Sequence, residues 1–431
     1  MQDNGFVKST GCLHIFYHLQ ECNYFYILLP QNQYLPMQIA LFDDSRREHL
    51  LPLTLTRPVA MLRVGATTIK EKWERALGSS CMFHTVQYLR SKYPLPSTNE
   101  PCLMINGGIL PSPLVVELIK TLSVGQAVVH NNTLIATVLQ SPSNPFDPNS
   151  INFKKVHLIE DKPLEIYHPW HIFLINGEAL LEDFRAITQG RESQPIPSSN
   201  RVINPNHVFI ERGATVECAI LNAQRGPIYI GANAEVMEGS IIRGPFALCE
   251  HSAIKMGAKI YGPTTIGPHS KVGGEVNNCV IQGYSNKAHD GYLGNSVLGE
   301  WCNLGADTNS SNLKNNYALV KLWSYAHKRF VSTGLQFCGL IMGDHSKCGI
   351  NTMFNTGTVV GVSANIYGGG FPRNFIPSFS WGGAQGFSPY GINLALDTCR
   401  KVYERRGLIL TTEDEEILRH IYREEGLGGA H

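Results

Sequence analysis

From Gln38 onward, short apolar runs alternate with amphipathic stretches, and near residue 200 this rhythm gives way to a strict period of six. In the first part Gln38 to Phe42, Cys102 to Asn106 and Ala127 to His130 read as buried strands, with Ala66 to Leu77 and Ser112 to Leu122 as helices between them. The order weakens through the Pro- and Asn-rich stretch from Ser141 to Ser150, and a last helix is expected over Glu178 to Thr188. This alternation predicts a Rossmann-like α/β sheet. A polar segment with Pro195, Pro197, Ser198, Ser199 and Asn200 marks a domain boundary.

Beyond that boundary Ile230, Val236, Ile242, Leu248, Ile254, Ile260, Ile266 and Val272 stand at successive six-residue steps. A second track follows four positions later, at Ala234, Ser240, Phe246, Ser252, Ala258, Thr264 and Ser270, small with one exception. A strand repeats every two residues and a helix every 3.6, so neither explains a strict six. A coil of short strands does: each repeat supplies one flat side, three sides close a turn, and the large aliphatics fill the interior. The repeat begins with Ile210 and Val216, slips by two residues after Val272, and is expected to resume through Val280, Tyr292, Leu298 and Leu304. A second run follows at Met342, Cys348, Phe354, Val360 and Ile366, with Ser346, Thr352, Thr358 and Ala364 in the small track. Asn309 to Leu340 is predicted to leave the coil as a loop. The chain is Gly-rich after Trp381 and ends in two amphipathic helices, near Asn393 to Arg406 and Glu413 to Glu424, the second opened by Thr411 and Thr412. The expected architecture is an α/β domain over 37–195, a left-handed parallel β-helix of hexapeptide repeats over 201–380, and a helical segment over 385–431. Flat-faced prisms of this kind associate side by side, so a homotrimer is expected.

Composition narrows the functions. A chain of 431 residues suggests two or three domains, and 41 Gly with 24 Pro suit a fold of many short strands. Lys plus Arg, 36, nearly balances Asp plus Glu, 35, so no global field draws the chain to nucleic acid or a membrane surface, and any anionic ligand needs a local cluster. The 11 cysteines include no C-x-x-C pair, which speaks against a disulfide framework or a zinc knuckle and for a reducing cytoplasm. The most apolar stretch, Leu13 to Pro30, is broken by His14, His18, Gln20, Glu21 and Asn23, and no run approaches the roughly 20 apolar residues of a membrane helix. Residues 1–36 read as a poorly structured extension, with Met37 a candidate translation start immediately before the first strand.

The candidate chemistry lies in the phase-slipped region, Ser285-Asn286-Lys287-Ala288-His289-Asp290-Gly291-Tyr292-Leu293-Gly294, continuing to Asn303-Leu304-Gly305-Ala306. An imidazole can accept the proton of an attacking amine near neutral pH, which suits His289 to a general base; the bland alternative is a surface loop histidine. Asp290 is not paired with it, because neighbouring strand side chains point to opposite faces. The His, the Tyr three residues on, the following Leu-Gly, and the Asn fourteen residues beyond the His with its Leu-Gly-Ala resemble, without gaps, the acetyltransferase half of the GlmU-type bifunctional enzymes. That resemblance implies a β-helix that acetylates glucosamine-1-phosphate from acetyl-CoA, joined to a uridylyltransferase domain. It further implies sugar-phosphate contacts at Tyr292 and Asn303 and a contact to acetyl-CoA at Asn312. The family's phosphate-anchoring Arg aligns with Lys259; Arg243, about one coil earlier, and Lys287 and Lys321 are further cationic candidates, each alone more simply a solvated surface residue. The sequence departs from the family at Leu313, where a Tyr is usual, and at Asn277, where a sugar-contacting Lys is usual. Gly368 to Gly370 with Arg373 suit the approach of a pantetheine arm, and turn geometry explains the glycines equally.

The N-terminal resemblance is looser. The family's first strand leads into a Gly-rich phosphate loop, whereas Ile39 to Phe42 runs into Asp43-Asp44-Ser45-Arg46-Arg47, without glycine. Arg57 and Arg63 are candidate phosphate contacts. The family's magnesium-binding Asp corresponds to Asn106, with Asp43 and Asp44 as candidate compensating ligands for Mg2+. Nucleotidyl transfer from UTP or dTTP and a domain that retains only the fold both remain open. Two readings of another class compete. His251 and His269 lie one coil apart and, with His289 or His345 of a neighbouring subunit, could form a carbonic-anhydrase-like zinc site. Alternatively, the β-helix serves only as a trimeric scaffold.

Overall fold

The computed structural model describes residues 37–426 except 98 and 143–145. The expectations for residues 1–36 and for the end of the last segment therefore fall outside the described residues. The first part is a six-stranded sheet: β1 (Gln38–Phe42), β2 (Met82–His84), β3 (Cys102–Asn106), β4 (Gln126–His130), β5 (Thr133–Leu139) and β6 (Lys155–Leu158), in the order β2-β1-β3-β5-β4-β6. β1 runs parallel to both β2 and β3, and its residues from Ala40 on are buried, as a central strand covered on both faces requires.

Helix α1 spans Ile69–Leu77, three residues later than the apolar pattern suggests, because Thr68 and Glu71 form a capping box that sets its start. Ser112 caps α2 (Pro113–Lys120), with proline at the first turn where its missing N–H costs nothing. Helix α3 extends over Pro169–Thr188 and so begins well before the expected Glu178. Its first turns bury Trp170, Ile172 and Phe173. The polar residues that interrupt its apolar pattern are themselves buried: Asn176 accepts from Gly65 N at 2.8 Å and Thr265 Oγ1 at 3.1 Å, and Asp183 accepts from Ala66 N at 2.7 Å and pairs with Lys72.

The β-helix is made of three sheets of nine, ten and eight strands, parallel throughout except for the last strand of the ten. They are termed here the first face (from Val208–Ile210), the second face (from Thr215–Val216) and the third face (from Arg201–Ile203). Each aliphatic residue of the Ile230 to Val272 track lies in one interior cluster and is at most 1 % exposed. The small track has its own cause: hydroxyls there bridge successive coils, as Ser240 Oγ donates to Lys255 O at 3.0 Å and Ser346 Oγ to Gly361 O at 2.6 Å.

After Val272 the coil shortens, and the expected phase is wrong by one residue at Val280 and Tyr292 but right at Leu298 and Leu304. Thr265 lies opposite Val280 and Ile266 opposite Ile281, so the interior passes through Val276, Ile281, Lys287, Leu293, Leu298 and Leu304. Val280 and Tyr292 face outward. Val280 misleads because the outer row of the first face is apolar too: Val280, Val297, Ile341 and Val359 pack into the core of the N-terminal domain. The excursion from the coil starts after Asn309–Ser310, which still pairs within the third face, and carries a hairpin of Lys321–Ser324 with Arg329–Ser332. The Gly-rich stretch after Trp381 is a second hairpin, Ser380–Gly383 with Gly386–Pro389. Helices α4 (Ile392–Glu404) and α5 (Thr412–Glu425) fold back on the body of the chain, Tyr403 stacking on Trp301 at 4.0 Å and His420 on Tyr88 at 4.0 Å.

Candidate functional site

The shortened coil puts a lysine where an aliphatic residue belongs. Lys287, opposite Val272 on one side and one row from Leu304 on the other, is 2 % exposed. Its ammonium donates to Gly273 O at 2.9 Å and to His289 O at 2.8 Å, and burial pushes its pKa down to about 8. It is therefore sealed inside the coil rather than available as a phosphate anchor. What it does is hold the backbone at the corner from which the exposed His289 imidazole projects.

His289 and Asn303 line one cavity of about 600 Å3. Its coil side is the outer row of the second face, where Lys271 lies opposite Asn286, Asn286 opposite Asn303, and Asn303 opposite Lys347. Its other side is the end of α4, with Val402, Arg405 and Arg406. Arg406 Nη2 donates to Asn286 Oδ1 at 3.3 Å, and Lys347 Nζ to His345 O at 2.9 Å. Burial lowers the pKa of both, helped for Arg406 by neighbouring Arg405. Sequence reasoning missed Lys271, Lys347, Arg405 and Arg406. The two lysines each precede an interior residue of the second face, a usable signal, whereas nothing local ties α4 to this wall.

Tyr292 lies around the corner, on the third face. Its hydroxyl accepts from Asn312 Nδ2 at 3.0 Å, and the same amide donates to Asn295 Oδ1 at 2.8 Å. Burial raises the tyrosine's pKa. Lys259 shares its row through Glu275 and is exposed, as are Arg243 and, on the hairpin, Lys321. The structure thus brings His289 with Asn303, and Tyr292 with Asn312, but it gathers no group from Lys259, Arg243 and Lys321. Gly368 and Arg373 sit in an exposed loop after Asn365–Ile366 and do not line the cavity. A Cβ at Gly368 or Gly369 would meet nothing within 4 Å, so no close approach demands glycine there; the positive φ of Gly368, 95°, does.

In the N-terminal domain the candidate ligands are already taken. The Asp43 carboxylate is buried, accepting from Thr85 Oγ1 at 2.6 Å and Val59 N at 2.9 Å; burial raises its pKa despite the nearby Arg47. The Asp44 carboxylate binds Arg46 at 2.7 Å and the Asn106 amide at 2.8 Å, and Asn106 Oδ1 accepts from Gly108 N at 3.0 Å. A magnesium ion needs free carboxylate oxygens, so these three residues, as arranged, do not fit it. Arg57 and Arg63 are not phosphate contacts either. Both are buried between the domains, Arg57 paired with Asp344 and with Glu300 at 3.0 Å, which raises its pKa. Arg63 N donates to Gln282 Oε1 at 2.6 Å. Residue type alone made these arginines candidates for phosphate, whereas their partners come from the β-helix far along the chain.

The zinc reading also meets a contrary geometry. His251 and His269 are stacked flat, centroids 4.8 Å apart and 7° from parallel, in a ladder that continues through Tyr284 and Trp301 at the same corner. Each of these residues has positive φ, because the coil turns there. Stacked rings do not converge on one ion, and among the described residues there is no group of three or more His, Cys, Asp or Glu side chains that could hold one.

Comparison with known proteins agrees with this two-part arrangement. Residues 39–192 match the family described as sugar nucleotidyl transferase. The chain is 32 % identical over 208 residues to a bifunctional sugar-1-phosphate nucleotidylyltransferase/acetyltransferase of Sulfurisphaera tokodaii, covering 48 % of this chain and 45 % of that protein. It is 37 % identical over 87 residues to the bifunctional protein GlmU of Methanocaldococcus jannaschii, covering 20 % of this chain and 21 % of that one. The chain thus spans less than half the length of either relative. Among solved structures, LpxA, a UDP-N-acetylglucosamine acyltransferase from Bacteroides fragilis, aligns over 55 % of this chain and 100 % of its own, at 14 % identity and a TM-score of 0.26. Residues 39–192 thus match the sugar nucleotidyl transferase family, they are followed in the chain by a parallel β-helix, and the two curated relatives that the chain partly matches are a bifunctional nucleotidylyltransferase/acetyltransferase and a bifunctional protein GlmU.

Proposed function

We propose that the β-helix transfers an acyl group, acetyl from acetyl-CoA, to the amine of an amino-sugar phosphate, glucosamine-1-phosphate first among candidates. The observation that carries this reading is the exposed His289, whose backbone carbonyl is held by the buried Lys287 and which lines one cavity with Asn303. In the step, the amine nitrogen forms a bond to the thioester carbonyl carbon, the carbon–sulfur bond breaks, the amine's proton passes to His289, and the thiolate leaves and is protonated. Asn303 is suited to hold a sugar hydroxyl, and the Tyr292–Asn312 pair supplies polar groups on the adjoining face. Replacement of His289 by Ala should reduce acetyl-CoA consumption in the presence of the amino-sugar phosphate on the order of 10²- to 10⁴-fold. An unchanged rate would remove that residue from the chemistry and favour the scaffold reading.

A second activity, nucleotidyl transfer from UTP or dTTP to a sugar-1-phosphate, is supported by the family match over residues 39–192. Pyrophosphate release with magnesium, either nucleotide and a panel of sugar-1-phosphates tests it; no release for any pair would leave a domain that keeps the fold alone. We further propose a homotrimer acting on small molecules in the cytoplasm, to be checked by light scattering for the assembly and by cell fractionation for the compartment. No helix among the described residues is long and apolar enough to cross a membrane.

A further inference from the structure

We infer that Arg405 and Arg406, at the end of α4, complete with Lys271 and Lys347 an anion-binding wall that holds the phosphate of the acyl acceptor. This rests on the acyl-transfer reading of the same cavity. Four cationic side chains line that cavity, and no Asp or Glu does. Among the described residues none of the four makes an ion pair: Lys347 is bonded only to a carbonyl, and Arg406 only to the Asn286 amide oxygen. Elsewhere Arg57 is neutralised by Asp344 and Lys72 by Asp183, whereas the buried Lys287 and Arg63 are held by carbonyl oxygens; at the cavity Lys271 and Arg405 are exposed and Lys347 and Arg406 half-buried. Like charges crowded around one cavity repel, and the arrangement is stable when a ligand brings the missing negative charge through charge-assisted hydrogen bonds.

A solvated helix end accounts for part of this, since the helix dipole favours arginine at a C-terminus. It does not account for Lys271 and Lys347, which stand on the rigid coil opposite that end. Nor is α4 there by chance: Tyr403, two residues before Arg405, is buried against Trp301, and Gly407 ends the turn with φ 69°. The cavity is of the size of one small ligand. Because His289 and the cations share it, the anion is carried on the molecule whose amine reacts; the phosphates of CoA lie at the far end of the pantetheine arm from the thioester.

The test is steady-state acetyl transfer with the full chain, comparing glucosamine-1-phosphate with unphosphorylated glucosamine. For the double variant Arg405→Gln, Arg406→Gln, and separately for Lys271→Gln, KM for the phosphorylated acceptor should rise by about tenfold or more, with the values for glucosamine and for acetyl-CoA unchanged. A KM rise confined to acetyl-CoA would place a CoA phosphate on this wall instead, and no change in either would leave the wall without a ligand; each overturns the inference. If the unaltered protein acetylates no amino sugar, the acyl-transfer reading fails separately, and calorimetric titration with inorganic phosphate decides the wall. Binding that the double variant loses sustains it, and absent binding overturns it. Arg406→Lys, which keeps the charge, should recover most of the phosphate-dependent affinity, a rescue that a merely structural role would not produce.

Discussion

Replacing Lys287 by Met offers the sharpest test of how this site is held. Methionine reproduces the side chain up to its ammonium and suits the apolar interior, but it cannot donate to Gly273 O and His289 O. Two buried carbonyls left without partners cost about 1–3 kcal/mol each. Against this, the wild-type protein carries the cost of a buried ammonium. With the pKa lowered from 10.5 to about 8, unfolding takes up a proton between those values, so the cost is fully present below pH 8 and is relieved as pH rises toward 10.5. Linkage puts it at about 3 kcal/mol at pH 7 and a little over 1 kcal/mol at pH 9.5. Near neutrality the two effects offset one another, and the variant should unfold in urea within about 2 kcal/mol of wild type. At pH 9.5 the wild type has gained about 2 kcal/mol that the variant cannot gain, and the gap should widen by that amount. Urea midpoints by circular dichroism at the two pH values, with matched ionic strength, measure it. A stability difference independent of pH would refute the assignment of a buried, charged Lys287. Acyl transfer should fall even where stability is matched, because the His289 backbone has lost its tether.

Three further outcomes follow from the geometry. Arg57→Leu strands the buried Asp344 carboxylate between the domains and should lower stability by about 3–5 kcal/mol, with much of the loss recovered when Asp344 is also made Asn; equal stability of the single variant and wild type would show that the pair contributes nothing. His168 and His171 have pKa values pushed down to about 4 by burial, and they crowd with His49 and His327. Unfolding therefore takes up protons between pH 6.5 and 4, stability is lost as pH falls through that window, and His168→Phe, which keeps the stack on Trp170, should flatten the dependence of melting temperature on pH there. Gly291→Ala forces a Cβ to 2.2 Å from Thr308 O at a φ of 108°, next to His289, and should destabilise the coil by about 1–3 kcal/mol or more and depress acyl transfer with it; normal activity and an unshifted melt would contradict the backbone described at this corner.

The β-helix was legible in the sequence because its interior is one-dimensional: each coil stacks on the last, so the side chains that meet are a fixed number of residues apart, and Ile230 to Val272 report that spacing directly. His289, Asn303, Tyr292 and Asn312 were named by resemblance to a family motif, and the stacking of coils is what sets His289 with Asn303 at one cavity and Tyr292 against Asn312. The phase error at Val280 shows the limit. An apolar residue on the outside of the first face looks like an interior one until the domain that covers it is known. What only tertiary structure decided are the contacts between residues far apart in the chain. Arg57 and Arg63, suited by type to hold phosphate, are held by Asp344 and Gln282; Asp43, Asp44 and Asn106 bind their own neighbours rather than an ion. Arg405 and Arg406 reach the His289 cavity only because Tyr403 docks on Trp301. Periodicity records contacts at a fixed separation along the chain, and charge pairing between distant segments has no such separation to record.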